Sequence, residues 1–344
     1  MESPLLRRVC REVGVPDLLE RLSERISPSD LQSVLLELAR LRAARRALPD
    51  LMAQHERDRT VRPSRVDPRA LQRLVLAAFD AAPAYDAIEL APVQPVGSTS
   101  QLGGIDQNNV LATVRGTEVV ADPTVPLALD ATRRRRDGVD VARMCATHRV
   151  LRQQPFEPPA AQHFLLFAMV TGGRTRPDHA SEIGALVEHV RAHLAIVAAA
   201  RELGAPIRQA VVRISDTVVR TAAMEAGAAI SADVSTPREA LSADIARRLG
   251  RRLRRLELAA EALEPVVAEF NGMLLIDLTR THAVGYYDGL QLGIDGITGG
   301  DPLELADGGS VDWAARLLSD RREHLFTSGL GLERLLPDGS RTAR

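Results

Sequence analysis

Four groups of residues have types and spacings that suit chemistry. Asp122 and Thr124 stand two residues apart at the end of an apolar run. A carboxylate and a hydroxyl so placed can grip an ammonium group; as plain structure, an Asp or Thr before a helical run is a helix cap. Arg152 precedes the proline-rich stretch QQPFEPPAAQ, and Phe164 follows it. On adjacent antiparallel strands they suit a nucleotide, with the guanidinium on phosphate and the ring against a base; the alternative is a surface arginine and a core phenylalanine. Residues 328–334 read SGLGLER. Gly329 and Gly331 let the backbone approach a ligand closely, a following helix would offer free amides, and Arg334 would reach a phosphate one turn in; a plain turn with a surface arginine fits the same residues. Tyr286 and Tyr287 are two of three tyrosines in the chain. On a strand they would point to opposite faces, one to the core and one to a cleft.

Composition removes other chemistries. All 44 basic residues are arginine. Lysine-dependent phosphate loops, Schiff bases and lysine nucleophiles are therefore excluded. The 44 arginines balance 45 acidic residues, for a net charge of -1. No global attraction to nucleic acid or to an acidic membrane follows. Cys10 and Cys145 have no paired spacing, so neither a disulfide framework nor a zinc site is expected, and a reducing cytoplasm is the expected setting. His189 and His193 are spaced i, i+4 without a third ligand, so no metal site is expected there. His163, beside Phe164, reads as a packed or surface histidine more readily than as a site residue. The N-terminus has charges throughout and no signal core. No apolar run approaches the ~18 residues that a membrane helix needs.

The elements that must position these residues follow from periodicity. With 344 residues and an apolar fraction of 45%, the chain can bury a large core. Residues 4–57 read as helices, with Ser29 to Gln32 as a capping box and an apolar stripe at Leu31, Val34, Leu35, Leu38 and Leu41. A linker at 63–68 and a helix at 70–81 follow. Strand character appears at 87–97, 110–114 and 117–122. A helix at 125–136 ends in Arg133, Arg134, Arg135 and Arg136. That run suits a solvated helix end, where arginines favour the dipole, or a patch for an acidic partner. Strands are expected at 144–151 and 163–171, helices at 179–203 and 238–264 with a strand at 209–214 between them, a hairpin from 272–279 and 286–294, and a helix at 311–322. Strands and helices that do not alternate regularly predict an α+β fold.

The order of the motifs resembles the catalytic domain of class II aminoacyl-tRNA synthetases, in the branch of histidyl-tRNA synthetase and its paralogue, the regulatory subunit of ATP phosphoribosyltransferase. The likeness runs over about residues 65–336. It implies an antiparallel sheet flanked by helices, in a synthetase-like domain over 63–344 with a helical insertion at about 175–268; the N-terminal helical segment over 1–62 has no counterpart in the family, and, as a departure from it, no anticodon-binding domain is expected. It implies that Pro92 belongs to a dimer-forming motif and that Asp122 and Thr124 bind a substrate α-amino group. Arg152 would hold the ATP α-phosphate, Phe164 would stack adenine, and Arg334, with Gly329 and Gly331, would hold the ATP tail. Tyr286 and Tyr287 would flank the amino-acid side chain. The departures are as specific. Gln154 replaces a glutamate, Ala160 and Gln162 replace loop arginines, Val170 replaces a closing glutamate, and His282 replaces an arginine tied to histidine activation, with Arg280 nearby. The resemblance therefore implies an ATP- and Mg2+-dependent, adenylate-forming ligase that activates an amino acid or related carboxylate for a non-tRNA acceptor, such as a carrier protein or small amine. The other reading is a non-catalytic subunit that senses a ligand and acts on an enzyme partner. A cytoplasmic homodimer is expected in either case, and neither tRNA nor a membrane is an expected partner.

Overall fold

The computed structural model describes residues 3–154, 162–227, 230–280, 285–299 and 302–336, except the side chains of residues 251 and 252. In chain order these fold as helices α1 (Pro4–Val13), α2 (Leu18–Glu20), α3 (Pro28–Ala44), α4 (Leu48–Arg57) and α5 (Pro68–Asp80), then strands β1 (Asp86–Ala87) and β2 (Val93–Pro95). Helix α6 (Ser98–Gly103), strand β3 (Thr117–Val119), helix α7 (Thr124–Arg136) and strands β4 (Ala142–Leu151) and β5 (His163–Arg174) follow. Next come α8 (Ala180–Glu202), β6 (Gln209–Asp216), α9 (Thr217–Glu225), α10 (Ala243–Leu249), α11 (Arg254–Glu269) and β7 (Met273–Ile276). Strands β8 (Leu290–Ile297) and β9 (Leu303–Val311), helix α12 (Trp313–Leu318) and strand β10 (Glu323–Gly331) complete the set.

Eight strands form one sheet in the order β1-β4-β5-β10-β9-β8-β6-β7; β2 and β3 form a separate antiparallel pair. The eight-stranded sheet is antiparallel except at its two edges, where β1 runs parallel to β4 and β7 parallel to β6. This is the expected α+β architecture. Period-2 alternation sends the side chains of each strand to two different cores. In β5, Leu165, Phe167 and Met169 pack on one face with α5, α8 and α11, whereas Ala168 and Val170 pack on the other with α7, α12 and the two tyrosines.

Several sequence expectations are corrected. The 272–294 region is not a hairpin, because β6 lies between β7 and β8 and pairs with both. Residues 110–114 form no strand and make only an isolated bridge, Ala112 to Glu118. Most of 87–97 is irregular, interrupted by two prolines that cannot donate to a ladder. The cap of α3 is Ser27, whose Oγ accepts from the Asp30 amide, with Pro28 at the first helical position. Residues 238–264 divide into two helices at Gly250, where φ is +45°. The helix expected at 311–322 is shorter, because Val311 completes β9.

Residues 3–57 bury only Cys10. Their helices rest on local signals: Ser3 caps α1, and Gly14, at φ +76°, ends it by placing Val15 N on Cys10 O. Contrary to the sequence expectation, helix α8 has the length and composition of a membrane span. Its apolar positions, among them Leu186, Val190, Leu194 and Val197, are fully buried against the sheet and α11, as in a core helix. The arginine run is ion-paired. Arg133 and Arg134 hold Asp130, and Arg134 also reaches Asp86. Arg135 grips Glu323 with two 2.8 Å bonds in a buried pair.

A buried polar chain crosses the α8 core. It runs from His193 Nε2 to Ser328 Oγ (2.7 Å), to His189 Nδ1 (2.7 Å), from His189 Nε2 to Thr171 Oγ1 (3.0 Å), to the Tyr85 hydroxyl (2.7 Å) and to Glu188 (2.9 Å). One direction satisfies it: each neutral imidazole donates from Nε2, and the chain ends on a carboxylate that Arg143 grips. Burial holds His189 well below the ordinary histidine range, with His193 next to it adding to the effect, and burial lowers His193 to about 3. The unfolded chain takes up these protons at about pH 6.5 and the folded chain does not. Stability is therefore full above about pH 6.5 and falls as the pH drops below it, by up to about 1.4 kcal/mol per pH unit per imidazole. Urea unfolding at pH 8 and pH 5.5 measures this; equal midpoints would contradict it.

Candidate ligand-binding cleft

The register gathers the expected site residues on the α7 face of the sheet. Ala146, Ala168, Gly329, Asp307, Gly293 and Arg213 form one row across β4, β5, β10, β9, β8 and β6. A Cβ built on Gly329 would meet nothing within 4 Å, so this row opens into free space. Gly331 pairs with Leu166, and Phe164 stands two residues from Leu166, at the same end of the same face.

At that end the Arg152 guanidinium carbon lies 5.3 Å from the centroid of the Phe164 ring. Arg152 Nε donates to Ala121 O (2.9 Å), which ties the arginine to the turn that carries Asp122. Among the described residues no carboxylate pairs with Arg152, so its charge remains available to an anion. Gln154 follows the strand, and its carbonyl accepts from Gln162 Nε2 (3.4 Å). The rest of the expected phosphate loop, including Ala160, lies outside the described residues. His163 is half-buried, with its ring nitrogens against Arg149 (3.1 Å) and the Arg62 carbonyl (2.5 Å), as a packed histidine is.

Asp122 Oδ1 accepts from the Thr124 amide (3.0 Å) and hydroxyl (2.7 Å). These bonds form a turn just ahead of α7, whose cap position is Pro123. Asp122 Oδ2 also accepts from the Tyr286 hydroxyl (3.0 Å), which lies 3.2 Å from Thr124 Oγ1. Contrary to the expectation of opposite faces, Tyr286 and Tyr287 precede β8 in irregular backbone and lie together, their ring centroids 4.8 Å apart. Tyr287 donates to Asp307 (3.0 Å). Burial pushes both phenols well above the ordinary tyrosine range, and Asp122 and Asp307 add to that. They act as neutral donors.

Arg334 follows β10 in a 3₁₀ turn, Leu332–Leu335, rather than in an α-helix, so it brings no array of helix amides. Its side chain crosses Gly331, is half exposed, and bonds the Glu304 backbone carbonyl. Glu333 fixes the turn by accepting from Arg149 (2.6 Å), Ser64 (2.9 Å) and the Leu165 amide (3.2 Å). Arg280 lies on Gly293 with a weak 3.5 Å contact to Glu304. His282 lies outside the described residues. Pro92 sits beside β3, its carbonyl accepting from Val120 N (3.2 Å).

Sequence reasoning missed Asp307, Glu304 and the scaffold residue Glu118. Glu118 is fully buried and accepts from Thr99 N and Oγ1, Gly97 N, Gln94 and Gln107. Burial pushes its carboxyl up, but the bonds from Thr99, Gln107 and Gly97 prevail and hold it at about 2. This anchors the segment 94–107 around Gly103, which packs on Tyr286. An Asp followed by two glycines at 307–309 was the available signal for the cleft floor.

The eight-stranded, mostly antiparallel sheet flanked by helices is a class II synthetase-like fold. The solved structures it resembles agree. An ATP phosphoribosyltransferase regulatory subunit/histidyl-tRNA synthetase from Bacillus halodurans matches at 17% identity and TM-score 0.54 over 80% of this chain and 81% of that one. Histidyl-tRNA synthetase from Nostoc sp. matches at 15% identity and TM-score 0.54, over 81% of this chain and 73% of its own. A histidine–tRNA ligase subunit from Alicyclobacillus acidocaldarius matches at 14% identity and TM-score 0.53, over 82% and 97%. At these identities the likeness establishes the fold. The sequence matches no family model and no curated protein.

The donor set does not form a dedicated Mg2+ nest. Among the described residues no three His, Cys, Asp or Glu side chains converge on one point, and Gln154 and Val170 stand where the resemblance puts carboxylates. Since Mg2+ is commonly carried on substrate phosphates with few protein ligands, no step is assigned through it.

The open space above Gly329 gives a clean test. A Cβ on Gly329 meets no heavy atom within 4 Å, so Gly329→Val is expected to fill the cleft without disturbing the fold. Nucleotide binding should weaken by about 10²-fold with an unchanged melting temperature. Unchanged nucleotide affinity, measured by calorimetry, would place the ligand elsewhere.

Proposed function

We propose that this cleft binds ATP beside an amino acid or related carboxylate and joins them as an adenylate, for transfer to a non-tRNA acceptor such as a carrier protein or small amine. What supports this reading is a chain of contacts: Arg152 lies 5.3 Å from the Phe164 ring centroid and bonds the Ala121 carbonyl beside Asp122, Asp122 bonds Thr124 and Tyr286, and Arg334 crosses Gly331 on the strand of Gly329. Asp122 with Thr124 holds the α-ammonium group. Arg152 neutralises charge at the α-phosphate, and Arg334 holds the tail. The substrate carboxylate oxygen forms the new bond to the α-phosphorus as the bridging oxygen leaves with pyrophosphate. Such catalysis is positioning and electrostatics. A cytoplasmic homodimer is the setting this reading expects.

A second reading has its own support. Gln154 and Val170 remove carboxylates from the site, and the Bacillus halodurans neighbour is described as a regulatory subunit as well as a synthetase. On that reading the cleft binds an amino acid or nucleotide and signals to an enzyme partner without chemistry. Exchange of labelled pyrophosphate into ATP across an amino-acid panel separates the two. Exchange dependent on one amino acid supports activation; tight binding without exchange supports regulation.

A further inference from the structure

The row of the sheet next to Gly329 and Asp307 has an unusual content. Thr327, Gly309, Gln291 and Ser215 face one another across β10, β9, β8 and β6 on the cleft side. The three polar residues are each 1% exposed. Among the described residues, Thr327 Oγ1, Ser215 Oγ and both amide atoms of Gln291 have no hydrogen-bond partner. A buried polar atom without a partner is costly, and native folds keep few of them. Four in one row require a cause. Ser215 stands opposite Gln291, and a bond between them would satisfy one atom of each. It would leave the other amide atom, and Thr327 on the far side of Gly309, unpaired.

Two long side chains lie on glycines beside this row. A Cβ on Gly309 would come within 2.8 Å of Tyr287 Cδ1, and the Arg280 guanidinium sits directly on Gly293, in the neighbouring row. Tyr287 is tethered to Asp307 by a 3.0 Å bond, whereas Arg280 has the weak 3.5 Å contact to Glu304.

We propose that Gln291, Ser215 and Thr327 floor a side-chain subsite of the cleft, which takes an amino acid whose side chain is uncharged and carries both a donor and an acceptor, with a carboxamide as the best match. The proposal rests on the amino-acid reading above and names its substrate class. A carboxamide pairs with the Gln291 amide at two points and leaves hydroxyls to Ser215 and Thr327. An apolar side chain leaves all four atoms unpaired, and a carboxylate must be desolvated there.

The test is calorimetric binding to the intact protein of glutamine, asparagine, threonine, histidine, methionine, glutamate and alanine, with Gln291→Met and Thr327→Val alongside. Glutamine or asparagine is expected to bind more tightly than methionine or glutamate by about tenfold to a hundredfold. Gln291→Met should erase that preference while alanine binding is kept. Tightest binding of histidine, methionine or glutamate overturns the proposal, as does a preference that survives Gln291→Met. If Gln291→Met only raises stability, the row holds structural water and the proposal fails. Amino-acid binding that is lost in Asp122→Ala but shows no side-chain preference defeats this inference alone. No amino-acid binding at all defeats the amino-acid reading as well.

Discussion

Arg152→Ala should reduce amino-acid-dependent pyrophosphate exchange by about 10²- to 10³-fold, which corresponds to about 3–4 kcal/mol of transition-state stabilisation. The size of the effect follows from position. Arg152 is the cation held against both the Phe164 ring and the Ala121 carbonyl, so it joins the base platform to the turn that bears Asp122. With no lysine in the chain, no ammonium group can substitute for it. Arg152→Lys should recover little, because a point charge does not reproduce the planar fork. Exchange and melting temperature should be measured together. A loss of exchange with an unchanged melting temperature supports the role; full exchange in Arg152→Ala removes it.

Asp216→Ala should destabilise the fold by about 3–5 kcal/mol, the usual cost of breaking a buried ion pair on one side. Asp216 is fully buried, holds Arg255 through two 2.7 Å bonds, and caps α9 through Val218 N and Val219 N. Burial opposes the Arg255 charge, but Asp216 prevails and keeps it in place. Removing the carboxylate leaves that guanidinium with Glu182 at 3.4 Å as its hydrogen-bond partner among the described residues, and uncaps the helix. Asp216→Asn keeps the cap and should lose less. Denaturant unfolding measures both, and a loss below about 1 kcal/mol for Asp216→Ala would show that Glu182 and solvent suffice.

The parts legible in the sequence are those with a strong local signal. The β4–β5 pair is apolar and β-branched on both sides of a proline-rich stretch, and α5, α7 and α8 are long and periodic. The parts that were not legible depend on partners far along the chain. β7 and β8 look like a hairpin because each is a short apolar run, yet β6 separates them, and only tertiary packing makes that choice. β9 was missed because Asp307, Gly308 and Gly309 dilute its pattern. Its glycines are required by close approach, since a Cβ on Gly308 would come within 2.6 Å of Ser328 Cβ. The site residues carried by a turn or strand end (Asp122, Arg152 and Phe164) could be read directly. Glu304 and Gln291 acquire their places only from register, and no spacing along the chain announces them; Asp307 had only the two glycines after it as a signal.

A crystal structure with a non-hydrolysable ATP analogue tests the central claim most directly. The account predicts the adenine against Phe164, the α-phosphate within hydrogen-bond reach of Arg152, and the tail at Arg334 over the open floor at Gly329. An analogue bound away from that face, or one that leaves Arg152 and Arg334 untouched, would contradict it.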